Sequence, residues 1–73
     1  MIPLSDIKPG DTGLIHQIIG HDHICQRLME MGILEGEQVE FVTVAPLGDP
    51  IEIRVSGYLL SLRRNEAARV IVQ

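Results

Sequence analysis

A chain of 73 residues with ten acidic and six basic side chains carries a net charge of −4 and is 45% hydrophobic. The length leaves no room for a second core, and an acidic balance with only two aromatic residues, Phe41 and Tyr58, excludes a phosphate-binding or base-stacking nucleic-acid surface. One cysteine, Cys25, excludes an internal disulfide and fits a reducing compartment.

The opening "MIPLSD" lacks the basic patch and apolar run of a signal peptide, and no stretch approaches the ~18 apolar residues of a membrane span. The expectation is a cytoplasmic protein with one domain over residues 1–73. Its apolar content is mostly Val, Ile and Leu, which favours packed strands over a helical bundle.

"DIKPGDTG" opens the chain with turn chemistry, and "GLIHQII" (residues 13–19) then reads as a strand. Gly20 breaks it. Asp22 is placed to cap a helix over "HICQRLMEM", in which Ile24, Leu28 and Met31 recur on one face. Cys25 and Met29 flank that stripe; Gln26, Arg27 and Glu30 lie elsewhere on the helix surface. Gly32 stands where a helix end needs a left-handed residue.

A strand follows over residues 38–45. "IEIRV" alternates with Ile51, Ile53 and Val55 on one face, Ser56-Gly57 marks a turn, and in "YLLSLR" Leu60 and Leu62 point together. "RNEAA" allows a single helical turn, and "RVIV" closes the chain as a strand. Arg63, Arg64 and Arg69 read as a solvated strand end rather than a nucleic-acid patch. The sum is a mainly β fold: a small, bent antiparallel barrel of about five strands with one helix inserted after the first.

No constellation for catalysis is present. The glycines are scattered at turns with no phosphate-binding motif, and no serine has a histidine near it in sequence. "HDHIC" offers His21, His23 and Cys25, all of metal-binding types, but Asp22 is required as the cap and His21 precedes the helix, so the helical ligand spacing is broken.

"VAPLGDPIEIRV" is the least expected run. Pro46 and Pro50 stiffen the loop and limit stray strand pairing, and Gly48-Asp49 lets the chain reverse. Leu47 between them is either folded back onto the barrel mouth or presented to a partner at little entropic cost.

Taken together, "LMEMGILEGEQVEFVTVAPLGDPIEIRVSGYLLSLRRNEAARVIV" resembles the FeoA family of small ferrous iron transport proteins, and the likeness runs from Pro9-Gly10 through Val72. The resemblance implies an SH3-like barrel, related to the C-terminal domain of diphtheria-toxin-repressor-type regulators. It implies a non-enzymatic accessory protein acting on the membrane transporter FeoB, with no required cofactor. The family loop maps onto Ala45 to Pro50, and the helix-end pattern onto Leu28, Met31 and Gly32. A FeoB-binding surface is therefore expected at Pro46, Leu47, Gly48, Asp49 and Pro50 with the helix flank at Arg27 and Glu30, while Leu28, Met31, Gly32 and Ile53 are structural. The alternative is a metal-binding or metal-sensing module that binds iron, zinc or another divalent ion weakly through His21, His23, Cys25 or surface carboxylates. Exposed strand edges permit a weak homo-oligomer without requiring one. A proline-rich ligand is disfavoured because two aromatics cannot line its groove.

Overall fold

The computed structural model describes residues 1–73. It runs β1 (Ile2–Pro3), a 3₁₀ turn (Leu4–Asp6), β2 (Thr12–Ile18), α1 (His23–Glu30), β3 (Gln38–Val44), β4 (Ile51–Val55), β5 (Tyr58–Leu62), α2 (Arg64–Ala67) and β6 (Val70–Val72). The strands form one antiparallel sheet in the order β1-β6-β2-β3-β4-β5. Six strands replace the expected five or so, because Ile2 and Pro3 pair with Val72 and Ile71. A two-residue strand is too short to show a period-two pattern, so composition gave no sign of it.

Alternation decides which side chains go inside. In β4, Ile51, Ile53 and Val55 are buried and Arg54 is exposed; β3 buries Val39 and Phe41. Leu4, Ile15, Leu62, Ala67, Val70 and Val72 complete the interior together with Leu28 from α1 and Ile33 just beyond it. Each of the Val, Leu, Ile and Phe side chains contributes roughly 1.5–3 kcal/mol on burial, which a sheet this small depends on. β2 is offset by one residue from expectation: Ile19 lies outside it, exposed, and its N–H donates to the Arg69 carbonyl at 2.8 Å.

The inserted helix is fixed at both ends by the residues expected to do so. Asp22 has extended backbone, and its Oδ1 accepts from the Cys25 N–H at 3.2 Å. At the other end Gly32 has φ +103°; its N–H donates to the Met29 carbonyl at 3.0 Å and the Ile33 N–H to the Leu28 carbonyl at 3.2 Å. That pair of bonds is a Schellman closure, and it turns Ile33 into the core. Leu28 is wholly buried while Ile24 and Met31 pack partly buried beside it, as their shared face requires. Cys25, which flanks that stripe, is buried further than its flank position suggests, at 5% exposed.

Candidate partner-docking site

Between β3 and β4 the chain makes a closed loop. The Ala45 N–H donates to the Pro50 carbonyl at 3.0 Å, and the Gly48 N–H to the Ala45 carbonyl at 2.8 Å. Pro46 and Leu47 are thus the two central residues of a turn, with Gly48 at φ +90° just after it and a cis Asp49–Pro50 peptide closing the loop. Leu47 is 96% exposed and does not fold back over the sheet.

The loop is held from outside by Arg64. The Arg64 backbone N–H donates to Asp49 Oδ1 at 2.9 Å, its Nε donates to the Gly48 carbonyl at 2.9 Å, and its Nη1 donates to the Ser5 carbonyl at 3.0 Å. A planar guanidinium with several fixed donors suits this task, since one side chain ties the loop, the start of α2 and the 3₁₀ turn together. Asp49 in turn satisfies one of the otherwise unpaired N–H groups at the start of α2.

Two residues further, Glu66 is 8% exposed, and its Oε1 accepts from the Arg63 N–H at 2.9 Å. Its other oxygen forms an ion pair with Arg27 of α1. A carboxylate this buried requires such partners. α2 therefore links the two expected parts of the surface, with Arg27 on one side and the Leu47 loop on the other. Glu30 is exposed at the end of α1, and no contact ties it to this assembly. Arg64, Arg63 and Glu66 were not singled out as site residues from the sequence, where the arginines read as solvated charge.

Arg69 is likewise engaged rather than free. Its Nη1 donates to Asp22 Oδ1 at 2.6 Å. The hydrogen bond from Arg69, followed by that from the Cys25 N–H, holds the Asp22 carboxyl below its ordinary range, and Asp22 raises Arg69 in return. This bears on "HDHIC". The Asp22 carboxylate is occupied by a cap and an ion pair, Cys25 is buried, and His21 and His23 are exposed on either side. No three His, Cys, Asp or Glu side chains are gathered to hold a metal ion.

A bent antiparallel sheet, one capping helix and an apolar residue carried on a clamped loop define an SH3-like module. The chain belongs to the FeoA family, whose domain model matches residues 2–73. It is 37% identical over 70 residues to a fusion of Fe(2+) transport protein A and the Fe(2+) transporter FeoB in Porphyromonas gingivalis, covering 96% of this chain and 8% of that protein. The chain thus spans about one-twelfth of the length of that relative. The solution structure of FeoA from Chlorobium tepidum superimposes with a TM-score of 0.90 at 38% identity, covering 97% of this chain and 68% of that one. FeoA of Stenotrophomonas maltophilia, solved with zinc and described as a procaryotic SH3 domain protein suggested to activate ferrous iron transport, gives 0.87 at 30% identity, covering all of this chain and 91% of that one. A manganese-dependent transcriptional repressor shares the fold at 19% identity, with a TM-score of 0.89 over 97% of this chain and 35% of its own.

Proposed function

We propose that this chain is a non-enzymatic accessory protein of bacterial ferrous iron uptake that acts by direct contact with FeoB at the cytoplasmic face of the membrane. Residues 1–73 act as one interaction module, and no helix among them is long and apolar enough to cross a membrane. The observation that carries the contact is Leu47, 96% exposed on a loop that Arg64 fixes through two hydrogen bonds, to Asp49 and Gly48, while a third anchors the same side chain at Ser5. A rigid apolar anchor loses little entropy on docking, and its removal from water into a partner's pocket is favourable. The fused relative supports FeoB as the partner, since joining the two in one polypeptide keeps them together. Pro46, Gly48, Asp49 and Pro50 shape the loop, and the helix flank at Arg27 and Glu30 is proposed as the second part of the surface, with Arg27 reached from the loop through α2.

The test is binding of the chain to FeoB of the same organism in lipid nanodiscs, with wild-type and Leu47→Asp proteins compared. Equal affinity of the two, with both folded, sinks the assignment. The zinc complex of the Stenotrophomonas relative favours a second reading, weak zinc or iron binding. Here it would rest on the exposed His21 and His23 rather than on buried Cys25, and a His21→Ala/His23→Ala variant with unchanged zinc affinity removes it.

A further inference from the structure

The two edges of the sheet are unequal. β1 is two residues long and contains Pro3, which blunts that edge. β5 is five residues, "YLLSL", with no charge, proline or bulge, and Tyr58 and Leu59 are 70% and 54% exposed. The turn joining β4 to β5 has Ser56 and Gly57 at φ 53° and 82°, the geometry of a two-residue hairpin whose flanking residues, Val55 and Tyr58, form a hydrogen-bonded pair. The ladder then alternates, so Leu60 and Leu62 bond to Ile53 and Ile51, and the N–H and C=O groups of Leu59 and Ser61 point away from β4. None of these four groups takes part in a turn, cap or side-chain hydrogen bond. The free edge ends at Arg63, whose N–H and carbonyl are both used by α2.

An open hollow of about 460 Å³ lies beside this edge, where Ser61 and Arg63 face Ile24, Arg27 and Met31. Ser61 also lines a second hollow with Val44, Ala45 and Pro50, so the edge is continuous with the clamped loop. Arg27, still 58% exposed in its ion pair with Glu66, and the exposed Arg63, whose side chain has no carboxylate partner, give the first hollow a positive rim in a chain of net charge −4. A second copy of the chain would bring the same arginines to this rim. An acidic partner is matched to it.

We infer that the partner contributes an extended acidic segment that adds to the sheet as a strand along β5. Its backbone pairs with the N–H and C=O groups of Leu59 and Ser61, an apolar side chain rests on Ile24 and Met31, and an acidic side chain meets Arg27 and Arg63. Strand addition draws affinity from main-chain bonds and selectivity from the alternating side chains. This rests on the FeoB reading above and specifies how that contact is made.

The experiment is residue-resolved amide hydrogen exchange of the full chain, alone and with FeoB of the same organism in nanodiscs, beside a binding measurement. Strand addition predicts exchange at Leu59 and Ser61 slowed at least tenfold in the complex, and Ser61→Pro weakening binding at least tenfold. Leu59→Glu, which places a like charge against an acidic strand at an exposed position, serves should the proline variant not fold, and is expected to weaken binding severalfold. Binding with unchanged exchange at both amides overturns the inference and leaves the FeoB reading standing. Absence of binding overturns both. Protection that instead grows with the concentration of the chain alone assigns the edge to a second copy and overturns the acidic strand.

Discussion

Arg64 and Asp49 are fifteen positions apart in sequence and 2.9 Å apart in space, backbone N–H to carboxylate. The bond joins the first residue of α2 to the loop that carries Leu47. The same arginine reaches the Gly48 carbonyl and the Ser5 carbonyl, so three separate segments meet at one side chain.

Arg64→Ala removes the Nε and Nη1 bonds while keeping the backbone one. At about 0.5–1.5 kcal/mol for a typical hydrogen bond, and less where water competes, a loss of about 1 kcal/mol in unfolding free energy is expected. Arg64→Lys should not restore it, since a lysine lacks the fork that reaches two carbonyls. Amide order parameters at Leu47 and Gly48, measured by NMR, should fall in both variants.

Leu47→Asp is expected to leave stability within about 0.5 kcal/mol of wild type, because the side chain is 96% exposed. Binding to FeoB should fall at least tenfold, about 1.4 kcal/mol. Chemical denaturation and a binding titration on the same sample separate the two effects.

Arg27→Ala is not a clean probe of docking, since it leaves Glu66 nearly buried with the Arg63 N–H as its remaining partner. A loss of about 1–3 kcal/mol is expected from the unpaired carboxylate, measured by denaturant unfolding. Arg27→Ala/Glu66→Gln should recover part of it. Glu30→Ala, at an exposed position, should change stability little and reports on docking alone.

The Asp22–Arg69 pair predicts a pH dependence. The Asp22 carboxyl is held below its unfolded value of about 3.9, so its contribution is present above that pH and disappears as pH falls through the lower folded value. Asp22→Asn keeps a capping side chain and removes the charge. The wild type should melt above this variant at pH 6, and the gap should close below about pH 4. Added salt should narrow it.

Much of the fold was legible because it depends on local chemistry. The alternation in "IEIRV", the cap at Asp22 and the helix end at Gly32 each act within a few residues, and each appears in the structure where expected. The FeoA resemblance and the SH3-like fold that it implied also hold. What could not be read is long-range. β1 exists only because Val72 and Ile71 lie beside it. Arg64 looked like solvated charge because its acceptors at Gly48 and Ser5 are remote in sequence. The faint local sign was Glu66, three residues after Arg63, at the spacing by which a carboxylate caps a short helix.

The most direct test of the central claim is a backbone-amide NMR titration of the chain with FeoB of the same organism in nanodiscs, without added metal. Direct docking predicts shifts or line broadening concentrated at Ala45 to Ile51, α2 and the flank of α1 at Arg27 and Glu30, with no such response in Leu47→Asp. A spectrum unmoved at saturating FeoB, or changes centred on His21 and His23 with the loop silent, would contradict it.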